Sequence, residues 1–318
     1  MKFDRHGFPI PAEFDVAAAA DANAWPDREA ASVPVVRRQT GSGAGKRLLL
    51  LAVACGILLP AVVGPAVMPV VREAVVQWSL ERAFGREARG RVQAAIGDVG
   101  RGIAWTDDDP ARLCRLLCWR AMLKLENRDP RGAIADASRA IEAAPTAAQP
   151  RRVRALAHVV AGDADAALAD SQTAVELAGP SDPEALNHRA YVRALVGREL
   201  PEALADIEAA LAGADEGSPE LIDTRGFVLH LLGRHREAID QLNQAIDASQ
   251  RQRRQLALLA AAADPDDVAH RLRTLDHALA VMHQHRGLAC RAAGLEGQAR
   301  QDFEVAAQQG FDPARGIF

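Results

Sequence analysis

The sequence predicts an all-α protein made of stacked helical hairpins, and three observations lead to this fold class. From residue 82 onward, six of the arginines that are followed by alanine or glycine form a series with a typical period of about 34 residues. Two further small residues follow each copy at nearly constant distances. The composition, 49% hydrophobic but only 4% aromatic, suits an alanine-rich core of closely packed helices rather than a β-sandwich or barrel. Arrays with such a period bury each hairpin against its neighbours.

The six copies align at three positions that carry small residues. The arginine pairs are Arg82-Ala83, Arg120-Ala121, Arg154-Ala155, Arg189-Ala190, Arg225-Gly226 and Arg286-Gly287. The second position holds Ala95, Ala133, Ala167, Ala203, Ala238 and Ala299, and the third holds Gly102, Ala140, Ala174, Ala210, Ala245 and Ala306. Small residues at matching positions predict that the two helices of each hairpin approach each other closely there.

Two copies carry the pattern most completely and resemble the tetratricopeptide repeat (TPR). One copy has Gly226, Gly233, Ala238, Leu242 and Ala245, and the last has Gly287, Gly294, Ala299, Phe303, Ala306 and Pro313. The resemblance covers residues 76–313, with units near 76–109, 114–147, 148–181, 183–216, 219–252 and 280–313. It implies a right-handed TPR superhelix that binds protein or peptide partners without catalysis.

A long insertion separates the fifth and sixth copies, whose arginines lie 61 residues apart. Helical periodicity on both sides of Asp264 and Pro265 predicts an elongated helical hairpin over about 250–280. We expect Asp264 to cap its second helix and Pro265 to be the first helical residue. Arg251, Arg253 and Arg254 make the insertion locally basic. They form either a solvated helix face or a contact for an acidic partner.

A recurring aspartate accompanies the recurring arginine. It stands three residues after the second small position in five copies and two residues after it in the remaining one. The residues are Asp98, Asp136, Asp170, Asp206, Asp302 and, one place early, Asp240. We interpret the two series as a ladder of charge pairs that fixes the register of the array, within hairpins or between neighbours, rather than as six ligand sites.

The N-terminal part of the chain predicts a membrane anchor. Residues 1–47 show no sustained hydrophobic period and predict a disordered tail. Residues 48–71 contain no charge, and a helix of that length reaches about 36 Å, enough for a hydrocarbon core of about 30 Å. The long tail before this segment disfavours a cleaved signal peptide. Lys46 and Arg47 favour a cytoplasmic N-terminus, which places the array on the outer side of an inner (plasma) membrane.

Several functional classes find no support in the sequence. A net charge of −4 gives no broad electrostatic reason to expect nucleic acid. Four cysteines, with Cys114 and Cys118 one helical turn apart, form neither a disulfide framework nor a zinc motif, and predict buried thiols. The glycine-rich stretch 41–47 lacks the spacing and hydroxyl of a phosphate loop. We therefore expect no catalytic residues, no cofactor and no metal site, and we expect the histidines, among them His270, His283 and His285, to lie on the surface or in a groove.

The resemblance also indicates a candidate binding surface, because the first helix of each repeat lines the concave groove in the TPR family. Our candidate peptide groove contains Arg152, Asn187, His188, Tyr191, Asp223, Phe227 and His230. The apolar members could instead pack against neighbouring helices. The leading function is a membrane-anchored scaffold for protein partners. A cytoplasm-facing adaptor and an accessory subunit of a membrane enzyme or envelope-assembly complex are the alternatives, and the oligomeric state is open.

Overall fold

The chain folds as an all-α solenoid in a computed structural model that describes residues 2–3, 9–10, 64–106, 109–214, 218–260 and 264–311. The helices are α1 Gly64–Glu87, α2 Val92–Trp105, α3 Pro110–Glu126, α4 Pro130–Ala143, α5 Gln149–Ala161, α6 Ala164–Ala178, α7 Pro183–Val196, α8 Leu200–Gly213, α9 Pro219–Leu231, α10 His235–Leu259, α11 Pro265–Ala292 and α12 Glu296–Gln308. Within the predicted tail, strands β1 (Lys2–Phe3) and β2 (Pro9–Ile10) form one short antiparallel pair.

Consecutive helices pack as six hairpins, from α1–α2 to α11–α12. The first helices of neighbouring hairpins also contact one another from α3 through α5, α7 and α9 to α11, so they form a continuous inner layer. Aspartate followed by proline begins several helices of the array, among them α3, α4 and α7. At Asp109, Asp129 and Asp182 the side chain accepts a hydrogen bond from a first-turn backbone N–H. Proline suits the next position because that N–H has no partner within the helix.

The small residues of the repeat allow large side chains to cross the hairpin interface. A β-carbon at Gly226 would lie 2.7 Å from Cγ of Leu242, and one at Gly287 would lie 2.5 Å from Cε1 of Phe303. The second helices of these two hairpins thus carry a large side chain where the first helices carry glycine. The predicted close approach is confirmed at both positions.

The junction of the first two hairpins departs from the expected aliphatic core, because Trp119 is fully buried there and donates to Glu87 Oε2 at 2.8 Å.

The arginine–aspartate ladder exists as ion pairs within the hairpins. Four arginines donate two hydrogen bonds each, at 2.6–2.9 Å, to the aspartate of their own hairpin. The pairs are Arg120–Asp136, Arg154–Asp170, Arg189–Asp206 and Arg286–Asp302. Each aspartate is buried, and charge-assisted, bidentate pairs of this kind are the strong class of side-chain hydrogen bonds.

Three of these arginines also bond to the preceding hairpin. Arg154 donates to Ser138 Oγ at 3.2 Å, Arg189 to Gln172 Oε1 at 2.7 Å, and Arg286 to Asn243 Oδ1 at 2.7 Å. Each acceptor lies on the second helix of the hairpin before. The arginines therefore form bonds both within hairpins and between neighbouring hairpins. One guanidinium joins the two helices of its own hairpin and also bonds to the preceding hairpin.

Two hairpins depart from this arrangement. In the first, Asp98 lies 2.5 Å from Arg86, one turn beyond the repeat arginine Arg82, which is 3.8 Å away. In the fifth, the aspartate is displaced by one residue, and Arg225 instead donates to Gln241 at 3.2 Å. Arg225 also lies 3.7 Å from Glu208 of the preceding hairpin. The departure in the fifth hairpin follows from the one-residue shift of its aspartate, whereas Arg82 and Asp98 of the first hairpin have the regular spacing.

The insertion forms the elongated hairpin that the sequence predicted, with α10 and α11 as its two helices. Asp264 accepts hydrogen bonds from the amides of Asp266 and Asp267, and Pro265 is the first residue of α11. The base of the hairpin is packed through Ile246, Leu279 and Met282, which are nearly inaccessible to solvent. Residues 261–263 between the helices lie outside the described part of the chain.

The outer end of this hairpin reaches back to the beginning of the array. Asp266 accepts two hydrogen bonds from Arg89, at 2.8 and 3.0 Å, directly after α1. Arg273 donates to Glu126 at the end of α3 at 2.8 Å. The rings of His270 and Phe84 lie 4.9 Å apart. The last hairpin is thus in contact with the first two hairpins, across about 150 to 180 residues of chain.

The predicted membrane segment is only partly described. Residues 48–63 lie outside the described part, as does most of the predicted tail, whereas residues 64–71 form the beginning of α1. No helix within the described ranges combines the length and apolar character needed to span a bilayer.

Replacing glycine by alanine should change the stability of the protein in opposite directions at Gly226 and at Gly97. Gly226→Ala should destabilise the protein by about 1–3 kcal/mol, because the new methyl group overlaps the Leu242 side chain. Gly97→Ala should stabilise it by about 0.5–1 kcal/mol, because a β-carbon at this mid-helix position of α2 meets nothing within 4 Å. Urea unfolding followed by circular dichroism measures both changes. Equal effects of the two substitutions would contradict the packing account.

Candidate functional site

The seven residues of the predicted groove lie on three inner helices of the array. Arg152 is on α5, three residues are on α7, and three are on α9. The three on α7 are Asn187, His188 and Tyr191, and those on α9 are Asp223, Phe227 and His230. Because α5, α7 and α9 are consecutive members of the inner layer, the structure places these residues on neighbouring helices.

Two of the predicted groove residues, Asp223 and Phe227, are covered by the last hairpin. His285 of α11 stacks on the Phe227 ring, with centroids 4.0 Å apart and planes 10° from parallel. Its Nδ1 donates to Asp223 Oδ1 at 3.0 Å. All three side chains are buried, so the expectation that Asp223 and Phe227 face an open groove needs correction. The physical reason is that α11 packs directly against α9 in the inner layer.

Tyr191 lies at the edge of this covered region. Its ring centroid is 6.3 Å from those of both Phe227 and His285. Burial raises the pKa of the Tyr191 phenol well above its usual range, and the negative charge of Asp223 adds to the effect. The residue is therefore a neutral aromatic platform at physiological pH, partly accessible on its α7 side.

His230 is engaged locally with His235 rather than with the other groove residues. The Nδ1 atoms of the two rings are 3.2 Å apart, which is a hydrogen bond with one ring donating and the other accepting. Burial lowers the pKa of His230 to about 4, and the nearby His235, His285 and Arg291 act in the same direction. His230 is neutral at neutral pH and lies in the last turn of α9.

The remaining groove residues form a mixed polar and aromatic surface between α5 and α7. Arg152 donates to Glu184 Oε2 at 3.2 Å, and His188 Nε2 donates to the Arg152 carbonyl oxygen at 3.0 Å. Asn187 is half-buried beside them. We call Arg152, Glu184, Asn187, His188 and Tyr191 the α5–α7 patch.

The Asn187 side chain of the α5–α7 patch carries a hydrogen-bond acceptor that is not used. The Asn187 Oδ1 atom is buried and accepts no hydrogen bond from any described residue. Leaving a buried acceptor unpaired costs about 1–3 kcal/mol, so such atoms are rare in folded proteins and draw attention to a missing donor. A backbone or side-chain N–H from a bound partner would provide that donor once the Asn187 side chain rotates towards the partner.

His285 lies at the centre of the covered region and His283 beside it, whereas we expected both histidines on the surface or in a groove. Both side chains are buried, not superficial, and His283 Nδ1 is hydrogen-bonded to Asp302 at 2.8 Å. His270 also contacts Phe84 rather than solvent alone. A signal was available for His283, because it precedes the repeat arginine by three residues and so lies on the helix face that meets Asp302.

The cysteines behave as the sequence predicted. Cys114, Cys118 and Cys290 are buried free thiols within the helical core, and Cys55 lies outside the described residues. Within the described part of the chain, no three His, Cys, Asp or Glu side chains group closely enough to hold a metal ion.

Comparison with known proteins gives distant structural similarities. No protein-family model and no curated protein matches this chain. It is similar to a tetratricopeptide repeat protein from Parabacteroides merdae, with 17% sequence identity and a TM-score of 0.44, over 75% of this chain and 94% of that one. It is also similar to a thermophilic TPR protein from Thermus thermophilus, with 23% identity and a TM-score of 0.48, over 59% and 98% of the two chains. A third similar structure is YrrB, described as a TPR protein with an unusual peptide-binding site, with 18% identity and a TM-score of 0.37, over 54% and 84%.

Proposed function

We propose that this protein is a TPR-type scaffold that binds an extended segment of a partner protein at the α5–α7 patch, without catalysis. The observation that carries the proposal is the buried, unpaired Oδ1 of Asn187 on an inner helix. The amide N–H of a peptide backbone is a neutral donor that enters such a site in an extended conformation. Binding would then remove the cost of the unpaired acceptor.

The neighbouring side chains suit the rest of an extended segment. Tyr191 provides a neutral aromatic surface for an apolar side chain of the partner. The Arg152–Glu184 pair presents both signs of charge at 3.2 Å from each other, which favours polar side chains over a long apolar stretch. The covered pair of Asp223 and Phe227 bounds the patch on its α9 side, so we place the segment between α5 and α7.

Photo-crosslinking in cells tests this function directly. A photoreactive amino acid at Tyr191 should capture a specific partner, whereas the same group at Glu202, an exposed position on the second helix α8, should not. In the Tyr191 background, Asn187→Ala should reduce the yield about five- to thirtyfold, because one buried hydrogen bond is worth roughly 1–2 kcal/mol.

Asn127→Ala is the matched control, because Asn127 is an exposed asparagine at the turn after α3. It should leave the crosslinking yield unchanged. Capture of the same proteins by a photoreactive group at position 202 would contradict the proposed site. An equal crosslinking yield with and without the Asn187 side chain would also contradict it. If the captured protein is an enzyme subunit, the accessory-subunit alternative gains support.

We further propose that residues 48–71 anchor the chain in an inner (plasma) membrane, with the repeat array on the outer side. The support is the uncharged sequence of this segment and the Lys46-Arg47 pair before it. C-terminal fusions to a reporter active only outside and to one active only inside the membrane should give a signal from the outside reporter alone. Activity of the inside reporter alone would favour the cytoplasm-facing adaptor.

A further inference from the structure

The contact between the two ends of the array is unexpected for a solenoid, in which each repeat normally touches only its neighbours. The contact is made by the N-terminal part of α11, which belongs to the insertion. Asp266 meets Arg89, Arg273 meets Glu126, and His270 packs on Phe84. The first-hairpin side of this contact is close-fitting, because a β-carbon at Gly85 would lie 3.2 Å from Asp266 Oδ2.

The two ends of the insertion are held with very different strength. Its base is packed through Leu279, Met282 and Ile246, all at most 2% exposed. At its outer end, the side chains of Arg89 and Asp266 are 55% and 41% exposed, and those of Arg273 and Glu126 are 37% and 32% exposed. Ion pairs this exposed contribute little to stability. Phe84, which meets His270, and Val268 of α11 are buried at the same end, so opening the outer contact exposes these apolar side chains while the base and the array remain folded.

We propose that the α10–α11 hairpin is a latch that closes the array into a ring and controls access to its inner face. In the closed state, the latch fixes the distance between the first and last hairpins and encloses the inner helices. When the outer contact opens, the stack relaxes and its inner face widens for a partner segment. Control of partner access by the latch rests on the proposed function, whereas opening of the outer contact does not.

The contact of His270 makes the latch sensitive to acid. Burial lowers the pKa of His270 to about 4, and the charges of Arg273 and Arg271 on its own helix act in the same direction. From the array, Phe84 and Arg89 face this region on the α1 side, and Glu126 faces it at the end of α3. On α11, Asp266 and Asp267 complete the charged surroundings.

The direction of the pH effect follows from proton linkage. An exposed histidine has a pKa near 6.5, so the open state binds a proton more readily than the closed state. The contribution of neutral His270 to the stability of the closed state is present above about pH 6.5. It is lost as the pH falls from about 6.5 towards 4. Between pH 7.5 and pH 5, the ratio of open to closed molecules should rise on the order of tenfold.

Distance measurement by pulsed electron paramagnetic resonance tests the latch in the full chain. Spin labels at Arg91→Cys, beside the first hairpin, and Gln255→Cys, on the outer part of α10, occupy exposed positions. Cys55→Ser removes the cysteine that lies outside the described residues. We expect one short distance at pH 7.5. The double variant Arg89→Ala with Arg273→Ala should raise the fraction of molecules at longer distances several-fold, because each exposed pair contributes up to about 1 kcal/mol.

Two controls separate the latch from general loosening. Arg198→Ala removes an exposed ion pair with Asp165 inside the array and should leave the distance unchanged. His270→Phe keeps a ring against Phe84 but cannot titrate, so it should remove the shift between pH 7.5 and pH 5. An unchanged distance in the double variant would overturn the latch, and equal pH responses of the parent and His270→Phe would overturn the role of His270.

This measurement also separates the latch from the proposed function. If the outer contact opens and a photoreactive group at Tyr191 captures a specific partner, the latch and the proposed function are both supported. Opening without any specific capture at Tyr191 supports the latch and counts against the proposed function. A permanently closed array that still captures a partner supports the binding site and overturns the latch.

Discussion

The pairing of an arginine with a buried aspartate is the interaction on which the array most depends. In four hairpins the arginine forms a bidentate pair with an aspartate of the second helix, and in three of these it also bonds to the hairpin before. An isolated buried aspartate would be costly, and removing its partner typically costs about 3–5 kcal/mol. Lysine, a point charge on a flexible stem, cannot make the same planar set of bonds. The geometry of one guanidinium thus fixes both the hairpin and its junction with the neighbour.

The insertion changes how such an array is held together. A stack of repeats has no contacts between its ends, so its curvature depends on many small interfaces. Here the α10–α11 hairpin adds a contact between the last and first hairpins, through Arg89, Asp266, Arg273 and Glu126. The α5–α7 patch lies on the inner layer of the same array. Partner binding and array curvature are therefore linked in the proposed account.

Much of this fold could be predicted from the sequence, because the packing and the ion pairs of each hairpin require the same residue types at the same positions. Glycine occurs where Leu242 and Phe303 cross the interface, and the aspartate series marks the partners of the arginines. The cross-hairpin acceptors Ser138, Gln172 and Asn243 also occupy a constant position, five residues after the second small residue, but that pattern of mixed polar types was missed. The site was less predictable. The covering of Asp223 by His285 and the closure of the array depend on residues about 60 to 180 positions apart, which no local period encodes.

Hydrogen exchange on Arg189→Lys is the most direct measurement of the arginine's dual role. This substitution keeps the charge but loses the planar bonds to Asp206 and to Gln172. The account predicts that amide protection falls at least about tenfold in both α8, of the same hairpin, and α6, of the preceding hairpin. Arg198→Lys, at an exposed arginine, should leave both helices unchanged. A loss of protection confined to α7, or no loss at all, would contradict the claim that one guanidinium joins neighbouring hairpins.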